Sequence, residues 1–184
     1  MSLFQRLRRV ALPASLLLAI LAGCSSPPKI DGDNPDKLYA EAKEDLSSGS
    51  YEKAIKGFER VEGRAAGTLL AQQALLDMAY AQWKSSERVQ AIATIDRFIK
   101  LYPSSPAMDY SLYLKGVVNF NDNLGILSSI SKQNISERDQ QASRDAHQAF
   151  KQLVEQFPNS VYAPDARQRM DYIVDRVKTE TDLP

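Results

Sequence analysis

Cys24 is the only cysteine of the chain, and it directly follows Leu21, Ala22 and Gly23. A thiol behind two small residues, at the end of a basic and then apolar run, is the pattern of a bacterial lipoprotein signal. Arg6, Arg8 and Arg9 supply the basic part. The apolar part runs from Leu12 to Leu21, interrupted only by Pro13 and Ser15, and is too short to span a bilayer. The chemistry this predicts is transfer of a diacylglycerol to the Cys24 sulfur, cleavage just before Cys24, and acylation of the new amine. Several acyl chains, at about 0.8 kcal/mol per buried methylene, anchor a protein durably to a membrane surface.

No other residue pattern supports covalent or metal chemistry. His147 is the sole histidine, flanked by Asp145 and Ala149 on one helix face, without a second histidine or ligand spacing. Asn121-Asp122-Asn123 lacks the spaced acids and closing glutamate of a calcium loop and reads as a turn. A glycine-rich phosphate loop and a serine nucleophile elbow are both missing, and Asn134-Ile135-Ser136 matches a glycosylation sequon of no consequence in a bacterial lipoprotein. The expectation is a protein that is not an enzyme and uses no cofactor or metal.

Removing residues 1–23 leaves 161 residues, enough for one domain with a core. The 23 Lys and Arg fall to 20 without Arg6, Arg8 and Arg9, against 23 Asp and Glu, so the remaining chain is about −3. That balance argues against nucleic acid, which selects a basic face. With Cys24 lipidated no thiol remains for a disulfide, so packing alone must stabilise the fold. Residues 24–33 are polar, bear proline and glycine and lack periodicity, as expected of a tether between lipid and domain. Ser25 stands where an Asp tends to retain lipoproteins of this kind in the inner membrane, which favours the outer membrane.

From Asn34 onward the apolar residues recur at helical spacing, and no strand-like alternation is present. Asn34-Pro35 is an N-cap followed by proline at the first helical position. Ser47-Ser48-Gly49 ends the first helix, and Ser50 is placed to cap a second. The phrase then repeats. Ala42, Ala79 and Gly116 lie 37 residues apart, as do Ala54 and Ala91, and Phe58 and Ile95 each follow four residues later. Small residues at these places allow two helices of a hairpin to cross closely. Tyr102-Pro103 and Phe157-Pro158 supply helix stops. Pro103 to Pro158 is 55, which exceeds the 37-residue repeat by 18; the interruption falls at 121–135, after which Ser136-Glu137-Arg138-Asp139 forms a capping box.

Helix pairs in this register resemble the tetratricopeptide repeat, whose units stack into a right-handed superhelix with a concave face built from the first helices. The expected fold is all-α, a tetratricopeptide-repeat (TPR) superhelix of helical hairpins. Residues 34–69, 70–105 and 106–160 form three repeats and residues 161–184 half of a fourth. With Pro35, Gln72 and Asp109 as first residues, repeat positions two, five, nine, twelve and thirteen should face the groove. They place Tyr39 and Lys43, then Leu76, Tyr80, Trp83 and Lys84, then Tyr110, Tyr113 and Phe120 along it. Rings mixed with amines suit an extended peptide carrying aromatic side chains and a carboxylate. The alternative for each ring is simple packing between repeats.

Three stretches carry a closer resemblance: 91–103 (AIATIDRFIKLYP), 109–127 (DYSLYLKGVVNFNDNLGIL) with 136–139 (SERD), and 157–172 (FPNSVYAPDARQRMDY). They look like the BamD (ComL/YfiO) family of outer membrane protein assembly lipoproteins, and the likeness extends over the signal and from Asn34 to about Val177. It implies a lipid-anchored component of the β-barrel assembly (BAM) machinery, at the outer membrane and facing the periplasm. The implied role is to receive unfolded outer membrane protein precursors, with a C-terminal aromatic and carboxylate as targeting signal, in the first three repeats. The implied partners are the insertase BamA and other BAM lipoproteins. The family has about five repeats and grips these two partners mainly through its C-terminal part. This chain ends inside the fourth repeat, so their binding is expected to be weakened. A second departure is Gly63-Arg64-Ala65-Ala66-Gly67 in place of the family's aromatic-proline turn, expected to be the more flexible for its glycines. A general periplasmic scaffold, linked to cell wall or DNA uptake as the competence name implies, is the alternative function.

Overall fold

The structure is a computed structural model that describes residues 34–120 and 137–181. The lipidation signal with Cys24, the tether and the insertion at 121–135 with Ser136 lie outside the described residues. Among the described residues seven helices follow one another within the unit formed by residues 32–184: α1 Pro35–Ser47, α2 Tyr51–Arg64, α3 Leu69–Lys84, α4 Arg88–Leu101, α5 Met108–Asn119, α6 Glu137–Gln156 and α7 Ala163–Thr181. No strand occurs among the described residues.

Local sequence explains the boundaries. The Asn34 side chain accepts from the Asp36 backbone N–H at 2.9 Å and Pro35 occupies the first helical position of α1. Ser50 sits at the N-cap of α2, but its side chain makes no capping bond. Gly49 ends α1 with φ +78°, and the next amide, of Ser50, reaches back to the Asp45 carbonyl at 2.8 Å. The same motif returns 37 residues later, where Ser86 adopts φ +71° and the Glu87 amide reaches the Gln82 carbonyl at 2.8 Å. Gly63 does not loosen the first turn: α2 runs through it to Arg64. The chain reverses at Gly67, φ +80°, before Thr68 caps α3 by accepting from the Ala71 N–H.

Each helix packs against its sequence neighbours, and α1, α3 and α5 also touch side by side. Contacts restricted to neighbours are the signature of a solenoid. The repeat register is visible in hydrogen bonds. Ser105, in the turn after α4, donates to Gln72 at 2.7 Å, and Ser160, in the turn after α6, donates to Asp109 at 2.7 Å. Gln72 and Asp109 are the first residues of their repeats, so each turn is tied to the start of its own repeat.

One apolar cluster runs through the helices from Leu38 and Phe58 by way of Leu75, Phe98 and Leu112 to Phe150 and Ile173. A smaller one joins Ala79, Ala91, Ile95, Leu114 and Val118. Phe58, Phe98 and Phe150 are fully buried, and burying each contributes about 1.5–3 kcal/mol. The small residues act where the repeat predicts. A Cβ on Gly57 would stand 2.7 Å from the Ala42 Cβ, and one on Gly116 would stand 2.3 Å from Phe150 Cε1. Hairpins one and three therefore close backbone against side chain.

Candidate peptide-binding face

The first helices α1, α3, α5 and α7 present a row of aromatic rings cross-linked by two carboxylates. At its start Tyr39 donates its hydroxyl to Asp77 Oδ2 at 2.6 Å, and Lys43 Nζ donates to Asp77 Oδ1 at 3.3 Å. The Tyr39 ring lies tilted on Phe58, centroids 5.8 Å apart. Burial, then the hydrogen bond to Asp77 and that residue's charge, push the Tyr39 hydroxyl well above the ordinary tyrosine range.

Tyr110 occupies the middle of the row. Burial first, then the nearby Asp77 charge and the neighbouring Tyr162, Tyr80 and Tyr113, push its hydroxyl up to about 12. Its ring meets Tyr162 at 5.4 Å. Tyr80 and Trp83 form an edge-on pair at 5.7 Å, and the Lys84 ammonium stands 5.4 Å from the Trp83 ring centroid.

At the far end Tyr113 stacks on Tyr162, centroids 4.8 Å apart and planes 20° apart, and donates to Asp165 Oδ2 at 2.8 Å. Arg169 Nε donates to the same oxygen at 2.6 Å. Burial raises the Asp165 carboxyl, but the hydrogen bonds from Arg169 and Tyr113 and the Arg169 charge outweigh it, leaving the carboxyl below its usual range. Tyr113 is raised by burial and by Asp165, with Arg169 opposing. Phe120 meets Phe150 and Tyr172 edge-on at 6.3 Å and 5.7 Å, and the Arg169 guanidinium lies 4.9 Å from the Phe120 centroid.

The structure thus brings Tyr39 and Lys43 together on one carboxylate, places Tyr110 near both Tyr80 and Tyr113, and sets Phe120 beside the α7 residues. It buries Leu76, which the repeat register assigned to the groove, and offers its neighbour Asp77 instead. The reason is that α3 is apolar on nearly every side, from Ala71 to Gln82, so periodicity gives a poor phase there. Asp77, Tyr162, Asp165, Arg169 and Tyr172 were missed. Only Asp165 and Tyr172 had a signal, as positions two and nine of a unit beginning at Pro164.

Other sites are sparse. Between α4, α5 and α6 lies a polar cleft of about 250 Å³ lined by Ile92, Asp96, Lys115, Asn119, Asp145, Gln148, Ala149 and Gln152. His147 on α6 is half-buried. Among the described residues no cluster of three or more His, Cys, Asp or Glu could hold a metal ion, and no helix is long and apolar enough to cross a membrane.

The stacked hairpins and their ring-lined first helices define a TPR-type helical solenoid. The chain belongs to the YfiO family, described as outer membrane lipoproteins, whose model matches residues 31–180. It is similar to the "Outer membrane protein assembly factor BamD" of Neisseria meningitidis serogroup B, with 44% identity over 176 residues covering 92% of this chain and 66% of the relative. The factor of the same name from Vibrio cholerae is 34% identical over 169 residues, covering 91% and 70%. That from Haemophilus influenzae is 31% identical over 172 residues, covering 93% and 65%. The chain spans about two thirds of the length of the curated relatives it matches.

Proposed function

We propose that this protein is a non-enzymatic assembly factor, lipid-anchored through Cys24 at the periplasmic side of the outer membrane. It receives unfolded β-barrel precursors on its first-helix face and hands them to a BamA-type insertase, alongside other BAM lipoproteins. The observation that supports the reading is the set of rings on the first helices from Tyr39 to Phe120, in a family whose named relatives are outer membrane protein assembly factors.

A precursor segment before insertion is extended, with alternate side chains apolar and often aromatic, and with unpaired backbone N–H and C=O groups. Tyr80, Trp83 and Tyr110 offer ring surface spaced along the helices, while Asp77 and Asp165 offer acceptors for backbone amides. Lys43 is drawn to Asp77 by 3.3 Å, so Lys84, exposed above Trp83, is the better placed amine for a terminal carboxylate. The rings contribute area at low entropic cost, since each has only two rotatable side-chain bonds.

Trp83 is the only tryptophan, so its fluorescence reports on the face directly. A synthetic peptide of a barrel's last strand, ending in an aromatic and a free carboxylate, should change that emission saturably. The same peptide as a C-terminal amide should bind more weakly. A general periplasmic scaffold would leave Trp83 unmoved by either peptide, and that outcome would overturn the receptor reading. Co-purification with the insertase tests the hand-over separately.

A further inference from the structure

Turns that lead from a second helix into the next first helix lie together at one edge of a hairpin solenoid. Here those turns carry no Asp, Glu, Lys or Arg: residues 65–76, 101–108 and 156–164 are free of them. They are instead tipped with apolar residues at equivalent positions. Leu69, Pro106 and Val161 each stand three residues before a repeat's first residue, and Ala66, Pro103 and Pro158 stand six before. All six are exposed, Leu69 to 68% and Val161 to 82%, and Leu101 adds a further exposed side chain at 53%. Charged residues flank the turns at both edges, Arg64, Lys100, Glu155 and Asp165 at this one and Glu44, Asp45, Lys84, Glu87 and Arg88 at the other; the difference lies in the turn tips, which at the opposite edge are Gly49 and Ser86.

Repetition at a fixed register makes this edge an apolar strip rather than scattered exposure. What covers it follows from where the chain enters. Asn34 caps α1, and the start of a first helix is at this same edge. The ten residues 24–33 can reach at most about 33–36 Å. A lipid anchored at Cys24 would hold Asn34, at one end of this edge, within that distance of the bilayer, where even weak apolar contacts are populated because docking is intramolecular. The turn tips themselves carry no charge, which lowers the desolvation cost of entering the interface.

We infer that the turn edge bearing Leu69, Pro106 and Val161 docks on the lipid surface, so the solenoid rests on that edge with the opposite edge turned away. This rests on the anchor reading above. The docked edge fixes the first-helix face roughly perpendicular to the bilayer, open to a peptide arriving along the membrane.

The test uses the full lipidated chain in vesicles of phosphatidylethanolamine and phosphatidylglycerol, with and without doxyl-labelled phosphatidylcholine. Because Cys24 is acylated, one introduced cysteine is the only free thiol and takes an environment-sensitive fluorophore. Leu69→Cys and Val161→Cys sample the edge, Ser48→Cys and Ser86→Cys the opposite one. Doxyl lipid should quench the first pair at least about twofold more than the second. Equal quenching at all four positions, or a blue shift at 69 and 161 that doxyl lipid leaves unchanged (a protein cover), would overturn the edge while leaving the anchor standing. Failure of the chain to float with the vesicles would overturn both.

Discussion

Replacing Gly116 with alanine tests the packing that assembles the far half of the aromatic face. Glycine inside a helix costs about 0.5–1 kcal/mol relative to alanine, so on propensity alone Gly116→Ala should stabilise α5. The structure predicts the reverse. The new Cβ would lie 2.3, 2.5 and 2.7 Å from three carbons of the Phe150 ring, which is wholly buried and has no free direction to swing. The ring must retreat by about 1 Å to reach ordinary contact, and overpacking of this kind costs about 1–3 kcal/mol, occasionally more. The net expectation is a loss of about 1–2 kcal/mol, read as a fall in Tm of roughly 2–8 °C for a domain of this size. Because Phe150 touches both Tyr113 and Phe120 at 6.2 and 6.3 Å, peptide-induced change in Trp83 emission should weaken as well. Thermal unfolding by circular dichroism, repeated on Phe150→Leu and on the double variant, isolates the contact: the double variant should be more stable than the two single losses add to. A rise in Tm for Gly116→Ala would refute the close approach and with it the hairpin geometry.

Ser86→Gly should stabilise the protein by about 0.5–1 kcal/mol, since Ser86 holds a left-handed φ that Gly49 holds in the preceding repeat; chemical denaturation measures it. Tyr39 and Tyr110 have folded-state hydroxyls above their unfolded value, so they stabilise the fold fully below about pH 10 and lose that contribution as pH rises through the folded values. Titration of tyrosinate absorbance should therefore show late-ionising hydroxyls, and Tyr39→Phe should remove one of them. Asp165 is lowered, so its stabilisation is present above its unfolded value near 4 and disappears as pH falls through the folded one. Asp165→Asn should flatten that acid limb of the stability profile. Lys84→Ala should weaken the free-carboxylate peptide by up to about fivefold and leave the amide peptide unchanged, as expected for an exposed ion pair.

Much of the architecture is legible in the sequence because repeats multiply weak signals. Ala42, Ala79 and Gly116 are each unremarkable alone, but their common 37-residue spacing marks the helix crossings that the structure shows at Ala42–Gly57 and Gly116–Phe150. Caps told the same story, since Asn34-Pro35 and Gly49 act as their types require. Side-chain pairing across repeats was less legible. Asp77 answers Tyr39 from 38 residues away, and Asp165 answers Tyr113 from 52, and no local pattern encodes a partner at that distance. The rings of Tyr110, Tyr113 and Tyr162 pack between repeats and also lie on the first-helix face.

Photo-cross-linking from the first-helix face tests the receptor account most directly. With a benzoylphenylalanine at position 80 or 113 of the lipidated chain in cells, newly made barrel precursors should be trapped, and the same probe at Gln148, in the cleft behind, should trap none. Equal yield from all three positions, or none from 80 and 113, would contradict it.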